Sequence, residues 1–311
     1  MPDVGWAIVC AQHGHNGAFP TLETPSRTVR TTGLRHIDTV RIGRMIVNNP
    51  RVPEALTTSS FRERALLDDW AAFEGPLAQR GIGVIAPFDL ALERELWRWV
   101  PVEVSLHLAR TPFEPVPVSM EMAKLVSNPL HLAAATRDVL HVEPEVVAYL
   151  CNSGSFVGGV AAEAGLCKVI CDSGAPAAVT TSGALAEVLA QLDLSKIAVV
   201  TPYFADLTAK LHEFLAELGV ETVASEHLGL GGGIWKVSYR TVAEHILRAD
   251  RPDAQAIFVS CTNLPTYDLI GPLEARLGKP VLTANQLTMW ACLQRMGLPV
   301  VGPGTWITEF V

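Results

Sequence analysis

Short apolar runs of strand length alternate with stretches of helical spacing from residue 81 onwards. Ile82–Pro87 and Val102–Leu108 are apolar runs typical of buried strands, and Leu92–Trp99 between them has the periodicity of a helix. Further along, the short apolar run Lys168–Cys171 predicts a fourth strand. Strands that alternate with helices indicate parallel sheets.

The second half of the chain repeats this order of elements. GVIAP in the first half corresponds to AVVTP in the second, and the run YLCNSGSF corresponds to VSCTNLPT. We therefore predict an α/β fold of two similar lobes with parallel sheets, related by a pseudo-twofold, with the active site in the cleft between them. The alternative is two independent copies of a common α/β unit whose cysteines merely pack.

The predicted domain boundaries follow from this repeat. Residues 79–185 form the first α/β lobe, residues 186–284 form the second, and the C-terminal helix 285–311 completes the first. Residues 1–78 do not resemble the rest of the chain. They are predicted to be an N-terminal extension, poorly ordered or lying on the surface as a helix, with helical spacing over 61–77.

Each half contains a strand that ends at a cysteine, Cys151 in the first and Cys261 in the second. Small residues with hydroxyl or amide groups follow them: Asn152 and Ser153 after the first cysteine, Thr262 and Asn263 after the second. Open α/β sheets bind ligands at the carboxyl ends of their strands, so we predict that both cysteines face one site. Backbone N–H donors and helix N-termini at these turns should favour the reactive thiolate.

Two opposed thiols are suited to acid–base or nucleophilic chemistry, because one can act as a thiolate while the other supplies a proton. The substrate that fits is a small carboxylic acid or dicarboxylate, held by neutral donors at the turns. Tyr203, directly after a strand, is a candidate donor, although a tyrosine in such a turn often only packs.

Composition and charge limit the kinds of partner and cofactor that the protein is expected to bind. The net charge of −8 offers no basic stripe, which argues against nucleic acid or an anionic membrane surface as a partner. No apolar run reaches the length of a membrane span, and the N-terminal residues lack the pattern of a signal peptide, so a cytoplasmic location is expected. No phosphate-binding motif follows a strand and no ligand cluster indicates zinc, so neither a cofactor nor a metal is predicted. A homo-oligomer is possible.

Four motifs in this order resemble the aspartate/glutamate racemase superfamily, and within it the maleate cis–trans isomerases and their relative arylmalonate decarboxylase. The motifs are CNSGSF at 151–156, TPY at 201–203, SCTNL at 260–264 and NQ at 285–286. The resemblance covers about residues 81–297. It implies a cofactor-independent enzyme with two Rossmann-like lobes.

The resemblance also implies roles for single residues. Cys151 would attack the alkene carbon of a cis-enedioate and Cys261 would serve as acid and base, while Tyr203 and Ser153 would hold the carboxylates. The decarboxylases of this group keep only the second cysteine, so the presence of both favours an isomerase or racemase. The isomerases usually have Ser-Ser-Asn after the proline of the first strand, where this chain has Phe88-Asp89-Leu90, so the asparagine is missing. Asp89 could instead repel a second carboxylate or bind an amine.

Other functions stay open at the level of sequence. One is an arylmalonate-type decarboxylase with Cys261 as its proton donor, and another is a non-catalytic two-lobed protein that binds small acids. Hydrolysis by a cysteine–histidine couple is a further alternative, for which His107 and His227 are the nearest candidates by position.

Overall fold

The computed structural model describes residues 79–309. The predicted N-terminal extension, including the helix expected over 61–77, lies outside the described residues. The described chain contains two four-stranded parallel sheets that follow one another along the sequence.

The first sheet and its helices come from residues 80–191. In chain order the elements are β1 Arg80–Ala86, α1 Glu93–Leu96, β2 Val104–Arg110, α2 Met120–Val126, α3 Pro129–Leu140, β3 Val146–Tyr149, α4 Asn152–Phe156, α5 Gly159–Asp172, β4 Ala178–Thr180 and α6 Thr181–Gln191.

The second sheet and its helices come from residues 196–309. They are β5 Lys196–Thr201, α7 Ala205–Glu217, β6 Glu221–His227, a 3-10 turn Ile234–Lys236, α8 Tyr239–Ala249, β7 Ala256–Val259, a 3-10 turn Tyr267–Leu269, α9 Ile270–Leu277, β8 Val281–Thr283, α10 Ala284–Arg295 and α11 Thr305–Glu309.

The two sheets have the same strand order. The first runs β2-β1-β3-β4 and the second β6-β5-β7-β8, and every pairing is parallel. All four residues of β3 and all four of β7 are buried, as expected for central strands covered by helices on both faces. The predicted α/β fold of two similar parallel sheets is therefore confirmed.

The fourth strand of the first sheet lies elsewhere than predicted. Lys168–Cys171 belongs to helix α5, and the strand is Ala178–Thr180 instead. The run was misassigned because its three apolar residues fit either element, whereas Leu166, Cys167 and Ile170 are all buried at helical spacing. The predicted C-terminal helix 285–311 is wrong as a single element: α10 ends at Arg295, just before Gly297 with a φ of +64°, and α11 begins at Thr305. Smaller differences affect element ends, such as β2, which continues to Arg110.

Helix α10 follows the second sheet but packs against α6 of the first half. Thr288 Oγ1 donates to Thr181 Oγ1 at 2.9 Å, and Arg295 forms a partly buried bidentate ion pair with Glu187. No helix within the described residues is long and apolar enough to cross a membrane.

Candidate functional site

A cavity of about 30 Å³ lies where the carboxyl ends of β1, β3, β5 and β7 meet. A cavity of this size holds about two water molecules. All eight residues predicted for the site line it: Asp89, Cys151, Asn152, Ser153, Tyr203, Cys261, Thr262 and Asn263. Pro87, Val118, Met122 and Ile234 complete the wall. The structure thus brings the predicted residues together, while their roles stay predictions.

Cys151 sits between β3 and the short helix α4, of which it is the N-cap. Its Sγ accepts a hydrogen bond from Gly154 N at 3.4 Å and lies 3.8 Å from Ser153 Oγ. The thiol is free and buried. Burial raises its pKa, and the donors at Gly154, Tyr149 and Ser153 offset this only in part.

Cys261 occupies the equivalent place after β7. Its φ is +89°, a left-handed conformation that is uncommon for a residue with a side chain and often accompanies functional turns. Its Sγ accepts from Asn263 N at 3.4 Å. Burial raises the pKa of this free thiol to about 12.

Both thiols are therefore protonated at neutral pH in this structure. The expectation that the turns favour the thiolate is wrong here. Burial raises the pKa of each thiol by more than its one backbone N–H donor lowers it. A ligand or a change of environment has to supply the remaining stabilisation of a thiolate.

A buried tyrosine lies beside each cavity thiol. The hydroxyl of Tyr149 lowers the pKa of Cys151, and that of Tyr203 lowers the pKa of Cys261, because each stabilises the neighbouring sulfur when it is charged. Tyr149 also donates to Val126 O at 2.9 Å. Sequence reasoning missed Tyr149, although its position two residues before Cys151 was a usable signal.

Asn152 joins the two cysteine turns. Its Oδ1 accepts from Ser260 Oγ and, at 3.4 Å, from Cys261 N, while its Nδ2 donates to Ser182 Oγ at 3.0 Å. Ser260 Oγ also lies 3.3 Å from Tyr203 OH. The two halves are therefore held in register at the cysteines by one buried amide.

Asn263 fastens the loop after β1 to the turn after β7. Its Nδ2 donates to Asp89 O at 2.9 Å, and its Oδ1 accepts from Ala91 N at 2.8 Å. Thr262 Oγ1 points towards Leu150 O at 3.4 Å. The amide of Asn263 thus fixes where Asp89 enters the cavity.

Glu95 supports the Cys261 turn from the other half of the chain, and sequence reasoning missed it. This buried carboxylate accepts from Thr266 N and Thr266 Oγ1, both at 3.2 Å, and from Asn285 Nδ2 at 3.0 Å. Asn285 Nδ2 also donates to Thr262 O at 3.0 Å. No local pattern around Glu95 reveals these contacts, because its partners are about 170 and 190 residues away.

Two loops cover the cavity from opposite halves. Val118 follows the proline-rich loop 110–117, and Ile234 follows the glycine-rich loop 229–233 of the second half. The loops are joined by a hydrogen bond from Val118 N to Gly231 O of 2.9 Å. Because the cavity is small, we expect these loops to move apart when a four-carbon acid enters.

No histidine among the described residues lines the cavity, so neither His107 nor His227 is placed for a cysteine–histidine couple. Within residues 79–309 no group of three or more acidic, histidine or cysteine side chains could hold a metal ion.

A family model described as arylmalonate decarboxylase matches residues 128–306. The chain belongs to the arylmalonate decarboxylase family. Among curated relatives, arylmalonate decarboxylase of Bordetella bronchiseptica is 30% identical over 156 residues, which are 49% of this chain and 65% of that protein. Maleate isomerase of Nocardia farcinica is 28% identical over 185 residues, 54% of this chain and 70% of the relative.

Solved structures of this family share the fold. A liganded double mutant of arylmalonate decarboxylase superposes with a TM-score of 0.68 and 25% identity, over 74% of this chain and 99% of that one. A second solved structure is a mutant of the N. farcinica maleate cis–trans isomerase with a covalently bound succinylcysteine intermediate. It superposes with a TM-score of 0.68 and 23% identity, over 74% of this chain and 98% of that one. The predicted relation to maleate isomerases and arylmalonate decarboxylase is confirmed.

Proposed function

We propose that this protein is a cofactor-independent isomerase or racemase of a small carboxylic acid, with Cys151 and Cys261 as its catalytic pair. The observation that carries the proposal is that these two free thiols, Cys151 buried and Cys261 partly buried, line one small cavity at equivalent strand ends. The names of its relatives, maleate isomerases and a decarboxylase, agree with a small acid as substrate.

On an enedioate, the reaction would begin when the Cys151 sulfur, as thiolate, forms a bond to one alkene carbon. The π bond breaks, its electron pair moves to the other carbon, and that carbon takes the Cys261 proton. Rotation about the resulting single bond is followed by reversal of both steps: the Cys261 thiolate takes the proton back, the π bond re-forms and the carbon–sulfur bond breaks. The products are the trans isomer, the Cys151 thiolate and the Cys261 thiol. On a chiral acid the same pair would exchange a proton at the carbon beside the carboxylate, one thiolate removing it and the opposite thiol returning one.

The substrate would bind where neutral donors are available. Ser153 Oγ has Cys151 Sγ as its hydrogen-bonding neighbour, at 3.8 Å, and Tyr203 carries a buried hydroxyl beside Cys261. Neutral donors stabilise developing negative charge without forming an ion pair that would quench a thiolate.

Decarboxylation is the second candidate, and the match to the arylmalonate decarboxylase model favours it. In that reaction the carbon–carboxyl bond breaks, carbon dioxide leaves, and Cys261 protonates the remaining carbanion. It requires Cys261 alone, so Cys151 separates the two candidates.

The test is incubation in D₂O with maleate, aspartate, hydantoins and arylmalonates, followed by NMR to find which carbon takes up deuterium or which signal is lost. Cys151→Ala and Cys261→Ala are compared with Cys292→Ala, which removes a buried free thiol outside the cavity. We expect both cavity variants to lose at least about 100-fold in rate and Cys292→Ala to retain activity. Activity that survives loss of Cys151 alone indicates the decarboxylase, and activity that survives both overturns the proposal.

A further inference from the structure

We infer that the acid bound in this cavity carries an amine beside its carboxylate and that Asp89 binds this amine. The inference rests on the proposed function, because it names the substrate class of the same site. It departs from the dicarboxylates and arylmalonates that the names of the relatives suggest.

The first observation is the charge of the cavity wall. Among the twelve described residues that line it, Asp89 is the only carboxylate, and no lysine, arginine or histidine accompanies it. Asp89 forms no ion pair with any described residue. The nearby Arg110 pairs with Glu93 and donates to Leu90 O at 2.9 Å, so its donors are already engaged.

The second observation is that the position of Asp89 is built by contacts on both sides. Asn263 holds its carbonyl from the opposite half of the chain at 2.9 Å. Thr111 Oγ1 accepts from Phe88 N at 3.2 Å, and Leu90 N donates to Pro87 O at 3.1 Å. These contacts fix the backbone of Asp89, and the side chain of Asn263 also hydrogen-bonds to its carboxylate, which lowers the pKa of Asp89. A carboxylate in a cavity wall that contains no cation is an acceptor for a ligand group that donates N–H bonds.

The third observation concerns electrostatics. Burial raises the pKa of Asp89, and the charge of Asp89 raises the pKa of both Cys151 and Cys261. A dicarboxylate would add two negative charges beside Asp89 and a thiolate, and the cavity wall contains no cation to offset them. The charge of Arg110, which lies outside the wall, lowers the pKa of Asp89 by less than burial raises it. A zwitterionic acid adds no net charge, because its ammonium group neutralises Asp89 while its carboxylate takes the neutral donors.

Binding of an amine would also activate the thiols. Burial is the largest cause of the raised pKa of both thiols, and the charge of Asp89 adds to it. An ammonium group paired with Asp89 removes this added contribution, so the thiolate forms more readily than it does beside an unpaired Asp89.

The experiment compares ligand pairs that differ only in the amine: alanine against propionate, and aspartate against succinate. Each ligand is mixed with the wild-type protein before iodoacetamide is added at pH 7.5. Mass spectrometry then measures the extent of alkylation of Cys151 and Cys261 separately. We expect alanine and aspartate to halve the alkylation rate at concentrations at least about tenfold lower than those needed for propionate and succinate. Asp89→Asn should remove this preference by at least about tenfold and improve protection by succinate, whereas Asp138→Asn, an exposed control, should leave both unchanged.

The wild-type comparison decides the inference even if Asp89→Asn folds poorly. Succinate that protects the thiols as well as aspartate does at pH 7.5 overturns the inference. In that case the proposed function stands, since an acid still covers the thiols. If no acid protects either thiol and the cysteine variants keep activity, the proposed function fails as well.

Discussion

At the scale of single residues, the cavity thiols differ from exposed cysteines in the balance between burial and donors. Each sulfur accepts one backbone N–H, from Gly154 or Asn263, and each has a tyrosine hydroxyl beside it. Burial still raises both pKa values, so the residues that add or remove charge near the sulfurs control reactivity. Asp89 is the one carboxylate in the cavity wall.

Replacement of Asp89 should shift thiol reactivity to lower pH. The charge of Asp89 raises the pKa of both Cys151 and Cys261, so Asp89→Asn removes a source of repulsion and favours the thiolate. We expect iodoacetamide to modify both thiols several-fold faster at pH 8.5 in the variant, with the rate profile moved towards lower pH. Asp138→Asn serves as the exposed control, and an unchanged profile in Asp89→Asn would contradict the role of this carboxylate.

The sequence allowed the residues around the thiols to be predicted but not their ionisation. Cys151, Cys261 and the polar residues after them stand out because each follows a buried strand at its carboxyl end. The degree of burial also depends on Val118 and Ile234, which come from distant loops. No pattern in the sequence near the cysteines shows that Val118 and Ile234 bury them. For this reason the direction of the pKa shift of the two thiols was predicted wrongly.

At the scale of elements, the short helix α4 positions Cys151 and depends on a glycine. A Cβ on Gly154 would lie 2.1 Å from Tyr149 Oη, closer than real Cβ atoms come, and 3.1 Å from Cys151 Sγ, which is a tight contact. The tyrosine is buried and hydrogen-bonded to Val126 O, so it cannot move aside freely. Glycine is therefore required here for close packing.

Gly154→Ala should destabilise the protein by about 1–3 kcal/mol, as overpacked cores do, and displace the Cys151 sulfur. Gly165→Ala is the matched control, because a Cβ at that exposed position of α5 meets nothing within 4 Å. The control should gain about 0.5–1 kcal/mol from better helix propensity. Urea unfolding measures both, and equal stability of the two variants would show that the space around Gly154 adjusts.

Element types followed from sequence where the apolar run was long or bounded by turn residues. Ile82–Pro87 and Lys196–Pro202 were such runs, and both are central strands. The assignment of Lys168–Cys171 as a strand was wrong because so short a run fits either a strand or one buried face of a helix. The helix α5 extends well beyond this run.

At the scale of the whole molecule, Glu95 ties the first half of the chain to the Cys261 turn and to α10. It is a buried carboxylate that accepts hydrogen bonds from Thr266 and Asn285. Glu95→Ala leaves these donors without partners, which should lower the free energy of unfolding by about 3 kcal/mol. Glu244→Ala, an exposed glutamate on α8, should change it by less than about 0.5 kcal/mol.

Glu95→Ala should also change the reactivity of Cys261, beyond the effect of the lower stability on the whole protein. Loss of the contacts at Thr266 and Asn285 frees the turn that carries Cys261, so the alkylation rate of this thiol should rise relative to that of Cys151. Thermal melting and site-resolved mass spectrometry provide the two measurements. A destabilised variant with an unchanged ratio of the two rates would limit Glu95 to a structural role.

The buried thiols together make stability depend on pH in the alkaline range. Burial raises the pKa of Cys151 and Cys167 and brings those of Cys261 and Cys292 to about 12. Below the unfolded value of about 8.5 both states hold these protons and stability is complete. Above it the unfolded chain releases protons that the folded protein keeps, so stability falls by up to about 1.4 kcal/mol per pH unit for each thiol, until the folded pKa is reached.

Cys292→Ala tests this dependence with a thiol outside the cavity. Urea unfolding at pH 7.5, 9 and 10 should show a decline that is less steep than in the wild type by about 1.4 kcal/mol per pH unit above pH 9, because one buried thiol has been removed. Leu293→Ala, a buried neighbour on α10, should lower stability by about 2–5 kcal/mol at every pH and keep the wild-type slope. Equal slopes in all three proteins would mean that Cys292 ionises in the folded state as readily as in the unfolded chain, which its complete burial among apolar side chains opposes.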